Sequence, residues 1–518
     1  MDEHAYLHDP ARSGAWQAIQ HRFKHLPIHM ALLHTGKVLA FGGSGNDPDR
    51  LADPYPAEIF DPQTGEVHSL NQPLGGDLFC AGHTFLADGR LLVAGGTFKY
   101  NKKLFGTDVR PFCGLEQAYL FDPHSETWTR AADMALGRWY PSLIQLSDGR
   151  ALVMAGLMKG FPWVFLRSIE IYTPGQGWRK SKKVGRWLPL YPRLHLLPDG
   201  QVFYSGSFNT HYTYPFNLRG FPTALLDVQN ETWHTIGPPN TSQRQEGASL
   251  LLPLLPPDYR PRVLLVGGGL KKRVKIPVPD VEIIDLSVEN PAWRRLPPME
   301  YARYHCYAVL LPDQQVFVLG GRREEEHHAV PLPVAGTSTN PSSSVDVPDL
   351  PHDVHAILET EMFDPGTETW RPMAAMQVDR LYHSNILLLP DGRVLVAGSN
   401  PAQKVNELRI EIYHPSYLFQ GPRPKIEAAP AQVAYGEEFP IKTPDAREID
   451  AVALIRPTST THCFSTEQRH IGLTITGRNQ EVVTVLLPRN PHLAPPGYYM
   501  LFQLSAGIPS EARFIQVG

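Results

Sequence analysis

A chain of 518 residues with 50 prolines, 42 glycines and only 19% charged residues has room for two or more domains and favours short strands joined by turns over long helices. Its net charge of -4, from 48 basic and 52 acidic residues, provides no basic field and excludes a nucleic-acid partner of the usual kind. It has no run of about 18 apolar residues, so no transmembrane helix and no membrane partner are expected.

In chain order, residues 1–25 read as an N-terminal extension without a signal-like apolar core. The compartment stays open: secreted or periplasmic if the start has been trimmed, internal otherwise. Four cysteines (Cys80, Cys113, Cys306 and Cys463) are too few for a disulfide framework in so long a chain.

From residue 26 a unit recurs: an apolar run, a Pro/Asp-Gly turn, an alternating run and a closing glycine. The copies are 33–43, 86–96, 146–156, 196–206, 252–269, 310–321 and 388–398. Asp-Gly is a strong hairpin signal because glycine accepts the positive φ such turns need. A second half-unit follows each copy, as in Leu120-Phe121-Asp122-Pro123 with Trp128, or Met362-Phe363-Asp364-Pro365 with Trp370. Two hairpins per repeat make a four-stranded blade, and seven copies predict a seven-bladed kelch-type β-propeller over 26–420. Residues 324–355, rich in Glu, His, Pro, Ser and Thr, read as a solvated loop of blade six, with His327 and His328 as exposed polar residues. Residues 421–518 show short alternating strands at 438–441, 451–455, 482–487, 498–504 and 512–517, the pattern of an immunoglobulin-like β-sandwich.

Aligning the repeats on their turn aspartates exposes a position eight residues upstream. Cys80 stands there before Asp88, Tyr140 before Asp148, Tyr191 before Asp199, His305 before Asp313 and His383 before Asp391. Blade five lacks the turn, leaving its register open with Glu246 as the candidate, and blade one offers Pro27. Equal offset implies equal depth, so these side chains are expected to circle one mouth of the central channel. Taken singly, each is more often a packing residue. Together, imidazole and phenol donors form an N,O set suited to tetragonal Cu(II). Tyr382 and His383 would face opposite sides of a regular strand, so joint ligation requires them to precede regular pleating.

Four motifs then bring a resemblance into view: Asp77-Leu-Phe-Cys-Ala-Gly82, Arg138-Trp-Tyr-Pro-Ser142, Arg380-Leu-Tyr-His-Ser384 and Thr460-Thr-His-Cys-Phe-Ser-Thr-Glu-Gln-Arg469. In this order they resemble the site motifs of the copper radical oxidases, the family of galactose oxidase and glyoxal oxidase, and the likeness covers essentially the whole chain. It implies one copper ion held by Tyr140, Tyr382, His383 and His462, with His462 supplied by the C-terminal domain. It implies a thioether between Cys80 and Tyr140 that carries a tyrosyl radical, and Tyr382 as the base that takes the substrate hydroxyl proton. The implied reaction oxidises a small aldehyde or a primary alcohol with O2 and releases H2O2. The Arg-Trp-Tyr-Pro-Ser form and Tyr191-Pro-Arg-Leu-His195 are more similar to the glyoxal oxidase branch. One departure stands out: Met158 occupies the position aligned with the tryptophan that covers the radical in galactose oxidase, leaving Trp139, Trp163 and Phe208 as alternatives. A non-catalytic kelch binding module and a copper-binding homologue with weak turnover are the rival readings, and monomer is the default state for such a propeller.

Overall fold

The computed structural model describes residues 7–45, 47–52, 56–100, 112–160, 164–183, 185–209, 222–241, 244–271, 275–323, 353, 355–400 and 406–518. Trp163 and the loop carrying His327 and His328 lie outside them, as does the side chain of Phe208.

Among the described residues the repeats form seven antiparallel units of four strands, one per sequence copy: five are separate sheets, and those of blades one and four are parts of six- and seven-stranded sheets. Blade two is typical. Its strands Gly82–Phe85, Leu91–Ala94, Ala118–Asp122 and Thr127–Arg130 are ordered from channel to rim, and every residue of the first two is buried. The turn between the first two strands behaves as its residues dictate. Gly89 adopts φ +85°, its amide donates to the Leu86 carbonyl at 3.0 Å, and the Asp88 carboxylate accepts from Arg90 N at 3.1 Å. In the outermost strand only Trp128 is buried, since this edge strand meets water.

Blade seven is closed differently. Its three inner strands are Asn385–Leu388, Val394–Ala397 and Arg409–His414, but the outer one is Ala15–Arg22, with Trp16 opposite Tyr413. Residues expected only as an N-terminal extension therefore close the ring. Trp16 also donates from Nε1 to the Ala374 carbonyl at 2.7 Å, tying the closure to the neighbouring blade.

A buried ion pair recurs in four blades: Arg138–Glu170 at 3.0 Å, Arg303–Glu361 at 2.7 Å, Arg380–Glu411 at 2.9 Å, and Arg244–Glu282. Each glutamate sits on a third strand and each arginine on the segment leading into a first strand. Three of the guanidinium groups also reach the end of their own hairpin, at the carbonyls of Ala155 (2.7 Å), Gly320 (3.0 Å) and Gly398 (3.1 Å). Charges buried this deeply persist only when paired, so the pairs pin the segments that carry the ring positions.

Past residue 421 a sheet containing Ala451–Ile455, Gly497–Ser505 and Arg513–Val517 faces a three-stranded sheet of Glu438–Lys442, Thr474–Arg478 and Val482–Leu486. The alternating burial of Glu438–Lys442 fits one wet face and one dry face. From this sandwich a hairpin, Ser459–Thr461 and Phe464–Thr466, runs into the propeller and extends blade one, with Thr460 opposite Met30 and Ser459 opposite Ala31.

Candidate metal centre

The ring inferred from spacing has a common backbone signature. Cys80, Tyr140, Tyr191, Glu246, His305 and His383 all take positive φ, between 46° and 64°. Non-glycine residues avoid this region at a cost of roughly 1–3 kcal/mol each, and they gather at functional sites where the surroundings over-determine them. The same conformation in blades two to seven means one depth and one direction of presentation, and it settles blade five on Glu246. Amide-to-carbonyl links run from blade to blade: Tyr140 N donates to Cys80 O at 3.1 Å, and Tyr191 N to Tyr140 O at 3.0 Å. Blade one contributes no side chain of this kind. The hairpin paired to it brings His462 instead, also at positive φ (48°), at the turn between its two strands.

Four donors converge. The Tyr140 and Tyr382 hydroxyls lie 2.7 Å apart, and His462 Nε2 is 3.0 Å from the Tyr140 oxygen. The His383 ring stacks on Tyr382, with centroids 3.7 Å apart, and meets His462 edge-on at 4.9 Å. Tyr382 and His383 precede their strand, which starts at Asn385, so strand alternation does not separate them. Cys80 lies against Tyr140, its thiol hydrogen-bonded to that hydroxyl and its sulfur 4.0 Å from His462 Nε2. Cys80, Tyr140, His383 and His462 are at most 3% exposed, whereas Tyr382 is only half-buried and offers the accessible edge.

Both imidazoles are held in one orientation. His383 Nδ1 donates to Asn400 Oδ1 at 3.2 Å, and Asn400 is itself oriented by donating from Nδ2 to Asn406 Oδ1 at 3.0 Å. His462 Nδ1 meets Thr461 Oγ1 at 2.6 Å, and the Thr461 hydroxyl donates to the Ile28 carbonyl at 2.9 Å, so it accepts from the imidazole. Each ring therefore carries its proton on Nδ1 and presents Nε2 as a lone pair. His383 Nε2 is buried without a hydrogen-bond partner. Burial depresses His383 to a pKa of about 3 and pushes His462 well down, with neighbouring His383 and His29 adding to the latter, so both are neutral. Burial, followed by the Cys80, Tyr382 and Tyr191 neighbours, drives Tyr140 well above the usual phenol range. Deprotonating it therefore requires a cation in the site.

Among the described residues no group of three or more His, Cys, Asp or Glu side chains is arranged to hold a metal. The set here is instead two imidazoles and two phenols. Two lone-pair nitrogens, one of them orphaned, beside two oxygens fit a Cu(II) ion.

The cover over Tyr140 is Trp139, its own neighbour in sequence, stacked at 3.8 Å and 7°. Met158 pairs with Arg138 across a two-stranded ladder, where Trp139 is opposite Leu157. Tyr191 stacks on Tyr140 as well, at 4.5 Å, and its hydroxyl donates to the Ala81 carbonyl. His305 stacks on Tyr382 at 5.0 Å and its Nδ1 is 3.4 Å from the Glu246 carboxylate. Cys306 and Cys463 are buried free thiols, and Cys113 is buried. Spacing alone did not reveal Asn400, Thr461 or the arginine–glutamate pairs. The arginines were legible in principle, as Arg138, Arg244, Arg303 and Arg380 each precede a ring residue by two or three positions.

Comparison with known proteins agrees with this geometry. Residues 423–517 match the galactose oxidase-like early set domain family. The chain is 28% identical to the aldehyde oxidase GLOX of Vitis pseudoreticulata, across 97% of both proteins. It is 26% identical to galactose oxidase of Gibberella zeae over 92% of this chain, spanning 65% of that protein's length. A solved fungal alcohol oxidase of the AA5 family, in complex with copper, superposes with a TM-score of 0.78 over 98% of this chain and 99% of its own at 23% identity, a likeness of fold. The protein is thus a seven-bladed propeller with a galactose oxidase-like C-terminal domain. Over most of its length the chain is similar to an aldehyde oxidase and to galactose oxidase.

Proposed function

We propose that this protein is a copper radical oxidase that converts a small aldehyde, as its hydrate, or a primary alcohol to the next oxidation level, reducing O2 to H2O2. The observation that carries the reading is the meeting of the Tyr140 and Tyr382 oxygens and His462 Nε2 within 3.0 Å, beside the unpartnered His383 Nε2, with the Cys80 sulfur against Tyr140. Copper, when bound, supplies one one-electron acceptor and the acidity that keeps the phenols ionised. Tyr140, His383 and His462 are its buried ligands and Tyr382 its accessible one.

The second one-electron acceptor is Tyr140 itself, cross-linked to Cys80. Sulfur substitution spreads the unpaired spin over a larger system, and Trp139 shields one ring face from solvent. Tyr382, half-buried and flanked by His305 and His383, takes the hydroxyl proton of the substrate as general base. The two electrons and two protons of the substrate leave with O2. Aldehyde hydrates are favoured over larger alcohols because the relative aligned across 97% of both proteins is called an aldehyde oxidase. One chain supplies every donor, so the site needs no second copy to be complete. No helix among the described residues is long and apolar enough to cross a membrane.

The test is H2O2 formation by copper-loaded protein on a panel of small aldehydes and alcohols, with intact mass measured before and after aerobic loading. Loss of two hydrogens in wild type but not in Cys80→Ala, together with peroxide from one substrate class, is expected. A mass unchanged by copper and air would overturn the cross-linked radical, leaving a copper-binding propeller.

A further inference from the structure

Tyr140 is the middle of an aromatic column that reaches toward the surface. On its outer side Trp139 stacks at 3.8 Å and 7°, and Phe112 stacks on Trp139 at 4.1 Å and 4°. Tyr100 meets Phe112 edge-on at 5.3 Å, as its cross-strand partner in the ladder of Thr97–Tyr100 with Phe112–Gly114. This ladder lies close against the ring loop because of Gly114. A Cβ there would sit 2.4 Å from the Arg138 carbonyl carbon, so only glycine lets Phe112 lie flat on Trp139. The column is a consequence of that close approach. On the inner side Tyr191 stacks on Tyr140, but its hydroxyl ends on a backbone carbonyl and the residue is buried. Only the outer arm leads to a half-buried phenol.

That phenol has a route for its proton. Ser44 Oγ donates to Asp77 Oδ2 at 2.5 Å, so the Tyr100 hydroxyl, 2.6 Å away, donates to Ser44. Asp77 is buried, fixed by the amides of Ser44 and Phe79 at 2.8 and 3.0 Å. Burial raises its carboxyl to about 6, making it a better proton acceptor than a surface aspartate. Oxidising a tyrosine is much easier when the phenolic proton can move at once to a hydrogen-bonded base.

We propose that Tyr100 is the electron-exchange port of the buried radical site: Tyr100, Phe112 and Trp139 conduct single electrons between Tyr140 and one-electron redox agents at the surface. This rests on the radical reading of Tyr140. An external one-electron oxidant removes an electron from Tyr100, whose proton passes to Ser44 as Ser44 passes its own to Asp77. An electron from the Tyr140 phenolate then refills Tyr100 by way of Trp139, with Phe112 as the bridge, and the proton returns along the same path. The net change is one electron from Tyr140 to the oxidant, and Tyr140 becomes a neutral phenoxyl radical. The column thus separates radical formation from substrate oxidation, since substrate approaches at Tyr382.

The test compares copper-loaded wild type, Tyr100→Phe and Tyr100→Trp, each first reduced to the radical-free state and then mixed with hexachloroiridate(IV). Radical formation is followed by optical absorption and by loss of the cupric EPR signal, and turnover is measured separately on fully oxidised samples. Tyr100→Phe is expected to slow radical formation about tenfold or more while kcat/KM of the oxidised enzyme stays at the wild-type value, and Tyr100→Trp restores the rate. Equal rates of radical formation in Tyr100→Phe and wild type would overturn the port and leave the oxidase reading standing. Equal slowing of radical formation and turnover would mark Tyr100 as structural and overturn it too. Absence of any radical in wild type would overturn the parent reading and the port together.

Discussion

Replacing Arg380 with methionine tests whether the buried ion pairs are what hold the ring. Arg380 is wholly buried. It donates to the Glu411 carboxylate from Nε at 3.2 Å and from Nη2 at 2.9 Å, and from Nη1 to the Gly398 and Arg409 carbonyls at 3.1 Å each. In the variant, Glu411 keeps the Gln377 amide at 2.9 Å but loses its counter-charge in a dry environment. Leaving one member of such a pair unmatched costs about 3–5 kcal/mol. Removing both charges, in Arg380→Met/Glu411→Leu, eliminates the stranded carboxylate. The Gly398 carbonyl still accepts from Ser384 Oγ at 3.0 Å, so the Arg409 carbonyl and the Gln377 amide are the main groups left short. At about 1 kcal/mol each, the double variant is expected to lose about 2 kcal/mol, less than either single change. Urea denaturation of the two singles, the double and wild type measures this, reading each difference from the midpoint at unchanged slope. Copper titration of the same proteins should show the singles weakened further, since Gly398 packs against the His383 carbonyl. A single variant as stable as wild type, or a double as unstable as the sum of its singles, would refute the argument that a stranded charge is what the pair prevents.

Four further outcomes are expected. Asn400→Ala should weaken copper binding by about 10–100-fold, by isothermal titration, because His383 loses the acceptor that fixes its tautomer. Tyr382→Phe should lower kcat by about 10²–10⁴-fold if it is the base, while the mass loss at Cys80–Tyr140 on copper loading persists. Trp139→Ala should shorten the lifetime of the radical absorption band, with little change in the intact mass. Stability should fall as pH drops from 6.5 toward 4. Burial holds His83, His195 and His383 at about 3, His34 and His470 at about 4, and His29 and His462 well down, so unfolding of the metal-free protein takes up protons on all of these imidazoles in that window. Asp77 and Asp313, raised to about 6 by burial, act oppositely, being stabilising while protonated and losing that stability as pH rises through about 6. The depressed imidazoles outnumber these two carboxyls, so the net slope is a loss of stability as pH falls, measurable by denaturation at graded pH.

The sequence by itself determined the blade count, the sandwich and the membership of the ring. Asp-Gly turns, alternating strands and fixed offsets are local properties, and they hold wherever the blades end up. The offset of eight even located a backbone conformation, since the residues it selected and the open candidate Glu246 share positive φ. Tertiary structure decided what no local pattern encodes. The N-terminal strand closes blade seven because its edge needs hydrogen-bond partners and the chain's other end leaves that edge free. Trp139, not Met158, covers Tyr140, because the ring loop turns at positive φ and lays two sequence neighbours face to face. His462 reaches the site because a hairpin of the second domain pairs along blade one, where the propeller has no side chain of its own to give. Asn400 and Thr461 became visible as anchors only once the imidazoles were in place, for a hydrogen bond between residues far apart in the sequence, or around a tight turn, depends on where folding puts the atoms.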